Sequence, residues 1–264
     1  MNRRIFALQL AGTLTALSRG AGHAAGASVQ TKRLLVLSQT AGFRHDTIPN
    51  IVAMLRELGA DGGRWEVVEQ ADSAEQVARA VTAARLREVD AVVFASTTGT
   101  LAFTPEGRAA FYAWMRAGGS FVGVHSATDT FHGDADFLGL IGGEFATHGP
   151  QREVEVRVQD PSHPATAGLP ASFTFFDEIY EFKNWSRPTV HVLLSMPRHP
   201  QTGAPGDFPL SWTRRYGSGR MFYTALGHRA DALADRRYRQ HLAGGVSWAL
   251  GLLPGDDSPG NPIV

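Results

Sequence analysis

The segment GSFVGVHSATDTFHGD, residues 119–134, predicts a strand that turns sharply into a helix. Its apolar run ends at Val124, and His125 stands at the bend. In enzymes with this kind of turn the apex carries a nucleophile such as serine, whose side chain is exposed above the sheet. We therefore expect His125 to be exposed at the apex of a strand-to-helix turn.

The residues before this segment alternate between short apolar runs and amphipathic runs. RLLVLS (33–38) and DAVVFAS (90–96) predict buried strands. TPEGRAAFYAWMRAGG (104–119) predicts a helix with Thr104 as its N-cap, and SAEQVARAVTAARL (73–86) predicts another helix. Apolar strands that alternate with helices indicate a parallel sheet that is covered on both faces.

After Pro150 strands dominate the pattern. SWTRRY (211–216) and RMFYTAL (220–226) flank Gly217-Ser218-Gly219, which predicts a hairpin. No Pro/Gly/Ser-rich linker separates the two halves of the chain. The sequence thus predicts one α/β domain, over 32–251, whose mostly parallel sheet has an antiparallel extension, followed by a tail, 252–264.

Composition excludes several classes of function. A chain of 264 residues with 43% hydrophobic residues can bury the core of one large domain. Its 25 basic residues equal its 25 acidic residues, so no general attraction to nucleic acid or anionic lipid is expected. The absence of cysteine excludes disulfides, thiolate metal sites and a cysteine nucleophile.

Residues 1–27 have the pattern of an export signal peptide. Arg3 and Arg4 precede a modest apolar stretch and then small residues, which favours a twin-arginine signal over an ordinary secretory one. The apolar stretch is shorter than the ~20 residues of a membrane-spanning helix. We expect an exported protein, periplasmic or extracellular, without a membrane span.

Polar side chains gather after the predicted strands. In open α/β sheets ligands bind beyond the carboxyl ends of the strands, and imidazole both titrates near neutral pH and binds metals. The candidates at these positions are Arg44, His45, Asp46, His125, Asp129, Glu144, His148 and His228.

The segment FFDEIYEF (175–182) combines acids with aromatic rings, which suits a carbohydrate ligand. As a single strand it would place Glu178 and Tyr180 on one face and Asp177 on the other. An exposed edge strand with solvated charges is the alternative. The full set of predicted substrate-binding residues is Arg44, Asp46, Asp177, Glu178, Tyr180 and Trp212.

Histidines and carboxylates in one pocket predict acid–base or metal chemistry. The catalytic candidates are His45, His125, Asp129 and His228, and the metal-ligand candidates are His125, His148 and His228. Imidazole ligands suit zinc better than calcium. A metal-free pocket with His125 as acid or base is one alternative, and a Ser126–His125–Asp129 triad is another.

The sequence resembles the ThuA-like family, named for trehalose utilisation. The resemblance rests on the ordered motifs GFRHD, GVHSATDT, GGEFATHGP, FFDEIYEF and PLSWTRRYGSGRMFYTALGH. It implies a flavodoxin-like core and a three-layer sandwich similar to class I glutamine amidotransferases. In those relatives a cysteine occupies the bend, so His125 at this position excludes glutaminase chemistry.

The resemblance also implies a role in the use of disaccharides or keto-sugars. We expect an exported enzyme that acts on a small-molecule carbohydrate by histidine and carboxylate acid–base chemistry, with or without assistance from a divalent metal such as zinc. The alternative is a non-catalytic carbohydrate-binding or scaffold module on the same fold. The sequence does not indicate an oligomeric state.

Overall fold

The apolar runs of the sequence form a large mixed sheet and a small two-stranded sheet in a computed structural model, which describes residues 30–264. The strands of the two sheets are β1 (Lys32–Leu37), β2 (Trp65–Ala71), β3 (Ala91–Ala95), β4 (Ser120–Val124), β5 (Glu144–His148), β6 (Arg152–Val158), β7 (Ser172–Asp177), β8 (Tyr180–Lys183), β9 (His191–Arg198), β10 (Pro205–Tyr216) and β11 (Gly219–Thr224).

Helices connect these strands and cover both faces of the sheet. They are α1 (Ile48–Leu58), α2 (Ala74–Ala80), α3 (Ala83–Leu86), α4 (Pro105–Arg116), α5 (Ala135–Ile141), α6 (Ala230–Ala234) and α7 (Arg236–Ala249). The predicted cap of α4 is confirmed, because the Thr104 hydroxyl accepts a hydrogen bond from the Gly107 amide at 3.0 Å.

Nine strands form the main sheet in the order β2-β1-β3-β4-β11-β10-β9-β6-β7. The first five are parallel, and every later pairing is antiparallel. The predicted parallel sheet with an antiparallel extension is confirmed, as is the hairpin, in which Tyr216 pairs with Gly219. Because direction alternates across the extension, β7 again points the same way as β11.

Both faces of the central strands are buried. In β1, Leu34 and Val36 pack into one hydrophobic cluster, which contains residues of α1 and α7. Leu35 and Leu37 pack into the other, with residues of α4 and α5. The alternation follows from the two-residue period of a strand, and it produces the predicted three-layer sandwich.

Two predicted elements are interrupted in the structure. The helix predicted over 73–86 is split into α2 and α3, because Val81 leaves helical geometry and the Thr82 hydroxyl caps a new helix. The strand predicted over 175–182 ends at Asp177 and resumes at Tyr180 as β8. β8 pairs with β5 in a separate two-stranded sheet.

The carboxyl-terminal tail is ordered along the start of β9. The Asn261 side chain bonds both the amide and the carbonyl of Val192 at 2.9 Å. The Gly260 amide donates to the Val190 carbonyl at 2.9 Å, and Arg187 donates to the Asn261 carbonyl at 2.9 Å. The tail thus lies at the amino edge of the sheet.

The predicted signal peptide, 1–27, lies outside the described residues. Within 30–264, no helix has the length and apolar character needed to cross a membrane.

Candidate functional site

Four side chains converge beyond the carboxyl ends of the strands. His45 follows β1, His125 follows β4, Glu178 follows β7 and His228 follows β11. One nitrogen or oxygen atom of each lies within 4.8 Å of the corresponding atom of every other. We call this set the His3Glu cluster. Three of the four histidines predicted at this edge therefore belong to the cluster. Its carboxylate, Glu178, comes from the antiparallel extension.

His125 occupies the predicted bend, but its side chain is not exposed. Its φ of 51° lies in the left-handed region, and a short 3₁₀ turn, His125–Asp129, follows it. The side chain is fully buried, at 0% relative exposure. The expectation of an exposed apex is wrong because Tyr180 on β8, Glu178 after β7 and Ala225 after β11 lie against the His125 side chain.

The tautomer of His125 is set by a backbone carbonyl. Its Nδ1 lies 2.8 Å from the Ala225 carbonyl oxygen, which can only accept, so Nδ1 carries the proton. Nε2 therefore faces the cluster as a lone pair when the ring is neutral. The Tyr223 hydroxyl donates to the His125 carbonyl at 2.7 Å and fixes the turn.

The His125 Nε2 lone pair is crowded by polar atoms. His45 Nε2 lies 3.1 Å away, the Tyr180 hydroxyl 3.1 Å and His228 Nδ1 3.2 Å. A single lone pair cannot accept a full hydrogen bond from each of these groups at once. A metal ion at the centre of the group would accept a lone pair from each of the three ring nitrogens.

His45 is also held as a neutral ring. Its Nδ1 lies 3.4 Å from the Ser126 hydroxyl, so Nε2 points to the cluster. Burial, followed by the nearby rings of His125 and His228, lowers the pKa of His45 to about 3. A neutral imidazole is the form that binds a metal ion.

Glu178 is the acidic member of the cluster. Its Oε2 lies 3.3 Å from His228 Nδ1 and 3.5 Å from His125 Nε2. Burial acts to raise its pKa, but the contacts with His125 and His228 outweigh burial and hold the pKa well below its usual range. In turn, its hydrogen bond raises the pKa of His228. Glu178 therefore stays an ionised carboxylate.

His148 and Tyr180 lie beside the cluster. His148, on β5, places Nδ1 3.3 Å from Glu178 Oε1, and its side chain is 43% exposed. Tyr180, on β8, is 4% exposed, and burial raises the pKa of its hydroxyl. His148 thus contacts the cluster through the carboxylate, whereas Tyr180 contacts His125 directly.

Asp177, a predicted substrate-binding residue, is buried and bonds the backbone of a turn. Its side chain is 0% exposed, and its Oδ2 accepts a hydrogen bond from the Gly227 amide at 2.7 Å. Burial raises its pKa. Gly227, at φ 114°, adopts a conformation that favours glycine. Asp177 therefore supports the turn that presents His228.

Asp129, a predicted catalytic residue, belongs to a different group. Its carboxylate lies 2.5 Å from His132 Nε2, and Glu144 lies 2.8 Å from His132 Nδ1. A Ser126–His125–Asp129 triad is therefore not formed, because Asp129 bonds His132 and Ser126 contacts His45. Glu144 also pairs with Lys183 at 2.6 Å, so it is engaged away from the His3Glu cluster.

The remaining predicted residues lie at the rim or in the core. Arg44 is engaged with Asp72 through two hydrogen bonds of 2.9 Å, and Asp46 is exposed. Trp212 is 0% exposed and donates to the Ile141 carbonyl at 2.7 Å. Its predicted contact with substrate is wrong, because the residue is buried in the core.

Sequence reasoning missed two contributors to the site. The Ala225 carbonyl, which orients His125, has no sequence signal. Phe43, within GFRHD, is 67% exposed and meets His45 edge to face at 4.8 Å between ring centroids. An apolar residue directly before three polar candidates was the available signal for Phe43.

The fold is shared with solved structures of low sequence identity. A putative ThuA-like protein from Bacteroides uniformis ATCC 8492 is 23% identical, with a TM-score of 0.68 over 84% of this chain and 93% of that chain. One from Parabacteroides merdae ATCC 43184 is 19% identical, with a TM-score of 0.70 over 89% and 97%.

A β-galactosidase from Bacillus circulans sp. alkalophilus shows a weaker likeness. It is 13% identical, with a TM-score of 0.52 over 86% of this chain and 33% of that chain. No curated protein matches the chain. The family model described as "ThuA: Trehalose utilisation" matches residues 33–249, so the chain belongs to the ThuA family.

Proposed function

We propose that this protein is an exported enzyme of carbohydrate utilisation that acts on a disaccharide or keto-sugar with the help of a divalent metal such as zinc. The observation that supports the proposal is the convergence of the His3Glu cluster at the carboxyl edge of the sheet. His45, His125, His228 and Glu178 would hold the metal.

The spacing of the donor atoms fits a metal site. In a tetrahedral zinc site with bonds of about 2.0–2.1 Å, neighbouring donors lie about 3.3 Å apart. In the cluster, His125 Nε2 lies 3.1 Å from His45 Nε2 and 3.2 Å from His228 Nδ1. Glu178 Oε2 lies 3.3 Å from His228 Nδ1. The chain thus already holds these donors near the separations of a zinc site.

The surrounding contacts also resemble the support that metal ligands receive. Metal-binding histidines usually donate their second ring nitrogen to a carbonyl, a carboxylate or water, which fixes the tautomer. His125 makes this contact with Ala225, and His45 Nδ1 faces Ser126. A bound divalent ion would supply Lewis acidity toward a sugar oxygen and would lower the pKa of bound water.

The groups beside the cluster can handle protons. Tyr180 remains a protonated phenol because burial raises its pKa, so it serves as a hydrogen-bond donor to a substrate oxygen. The His148 ring is half-exposed beside Glu178, so it reaches both the cluster and solvent. A buried hydrogen-bond donor and a solvent-exposed imidazole beside the cluster suit isomerisation of a keto-sugar or elimination next to its carbonyl.

Export remains a proposal that rests on residues 1–27. Arg3 and Arg4 with the short apolar stretch support it. The family description supports the carbohydrate part, since it names trehalose utilisation.

Metal analysis of untagged protein, purified from the periplasmic fraction of the producing cells, tests the proposal. We expect about one zinc per chain and turnover of keto-disaccharides by the loaded protein. The His125→Ala variant should lose both the zinc and the turnover, because the substitution removes the central proposed ligand. His199→Ala is the matched control, since His199 pairs with Glu181 outside the cluster.

Three outcomes would contradict parts of the proposal. A metal-free wild type after zinc loading would exclude the metal site. Sugar binding without turnover would favour a carbohydrate-binding module. Recovery of the chain only from the cytoplasm, with residues 1–27 still attached, would exclude export.

A further inference from the structure

Phe43 is an exposed apolar ring beside the His3Glu cluster. Among residues 30–264 it is one of the large hydrophobic side chains that are exposed, at 67%. Its ring meets the His45 ring edge to face at 4.8 Å, so one edge is fixed against a member of the cluster. The open face of the ring therefore offers an apolar surface next to the cluster.

The loop that carries Phe43 is held in place. The Thr98 hydroxyl donates to the Phe43 carbonyl at 2.9 Å and accepts from the Gly42 amide at 3.1 Å. The Ala41 amide donates to the Thr98 carbonyl at 2.8 Å. Because these bonds tie the loop to the end of the neighbouring strand β3, the ring is ordered before any ligand arrives, and binding costs less entropy.

The charges beside the cluster are neutralised in pairs. Arg44 bonds Asp72 through two contacts of 2.9 Å. Arg229, next to His228, bonds Asp231 through two contacts of 2.8 Å. Asp46 adds an exposed acidic group to the same loop. The paired side chains therefore add no excess of positive charge to that of the proposed metal, and Asp46 opposes an anionic ligand.

We propose that Phe43 is the stacking platform for a neutral pyranose ring, and that the site discriminates against phosphorylated sugars. This inference rests on the proposed function and adds a specificity-determining residue to it. One face of a pyranose presents C–H groups, which pack on an aromatic ring, while its hydroxyls remain free for Tyr180 and the His3Glu cluster.

Calorimetric titration of the zinc-loaded protein tests the proposal, with methyl α-glucoside, trehalose and trehalose 6-phosphate as ligands. Phe43→Ala should weaken binding of the neutral sugars about tenfold, which is the effect of losing one apolar contact surface of this size. Phe43→Trp should bind at least as tightly as wild type. Leu253→Ala is the control, because it removes an exposed apolar side chain in the tail at the opposite edge of the sheet.

Zinc content separates this inference from the proposed function. We expect Phe43→Ala to keep its zinc, since Phe43 supplies no ligand. Unchanged sugar binding by a zinc-loaded Phe43→Ala protein would overturn the platform and leave the metal site intact. Equal or tighter binding of trehalose 6-phosphate would overturn the selectivity. If zinc-loaded wild type binds none of these sugars, the platform and the carbohydrate part of the proposed function both fail.

Discussion

The position of single protons determines what the His3Glu cluster can bind. The Ala225 carbonyl keeps a proton on Nδ1 of His125, and burial keeps His45 neutral at ordinary pH. Glu178 stays ionised and shares Oε2 with His228. Without a metal, His228 therefore carries a proton that a metal must displace.

Glu178→Gln tests this coupling with a substitution of almost the same shape. The hydrogen bond that His228 donates to Glu178 is the largest contribution to the raised pKa of His228, so we expect that pKa to fall in the metal-free variant. In wild type the charged pair stabilises the fold below the unfolded pKa of histidine, about 6.5, and this contribution disappears as pH rises through the folded pKa of His228.

Two measurements check the outcome. An NMR titration of the metal-free protein follows the His228 ring, and a zinc competition assay should show an affinity loss of at least about 100-fold, beyond the usual effect of an outer contact. A His228 pKa that does not move would mean that the ring is not paired with Glu178.

At the residue scale, the sequence predicted which side chains meet at the site better than it predicted how deeply they are buried. His45, His125 and His228 could be predicted because each follows an apolar strand, and strand ends meet at one edge. The burial of His125 could not, because its cover comes from residues more than 50 positions away, such as Tyr180. The burial of Trp212 and Asp177 could not be predicted either, because a local sequence pattern does not show which distant residues pack against a side chain.

At the scale of elements, the strand predicted over 175–182 shows how a break can create a site. Alternation alone would send Asp177 and Glu178 to opposite faces of one sheet. The chain instead leaves β7 at this point and joins β5, so Asp177 supports the Gly227 turn while Glu178 enters the cluster. The pairing of β8 with β5 depends on residues 144–148, which no pattern within 175–182 reveals.

The tail gives a prediction at the same scale. Asn261→Ala leaves the amide and carbonyl of buried Val192 without their partner, so we expect a loss of about 1–3 kcal/mol in the free energy of unfolding. Urea denaturation measures it. Zinc affinity should not change, because the tail lies at the amino edge and the cluster at the carboxyl edge.

Ile263→Ala serves as the control for that experiment, since Ile263 is 62% exposed. If both variants are as stable as wild type, the tail does not contribute to stability. If Asn261→Ala also loses zinc, the two edges of the sheet are coupled.

At the scale of the whole molecule, buried histidines predict the response to acid. Burial is the largest cause that lowers the pKa of His163 and of His241 to about 4, and that of His45 to about 3. The unfolded chain protonates these rings near pH 6.5 and the folded chain does not. The unfolded state therefore binds more protons in this range, and stability falls as pH decreases from about 6.5 toward about 4.

Urea denaturation of the metal-free protein across this range measures the effect. Each such histidine contributes up to about 1.4 kcal/mol per pH unit. His241→Gln removes one titrating ring and should make the slope shallower by that amount, whatever its cost at pH 7. An unchanged slope would mean that His241 is protonated in the folded protein as well.

The His3Glu cluster draws on positions from 45 to 228, which span most of the described chain. Its last member, His228, follows β11, the strand that joins the parallel half of the sheet to the antiparallel half. A growing polypeptide cannot assemble the four side chains until that strand is in place, so capture of the proposed metal would come at the end of folding and would report its completion. A chain that crosses a membrane already folded would carry out the ion it selected inside, and the metal supply of the compartment of synthesis would then decide which ion the mature protein contains.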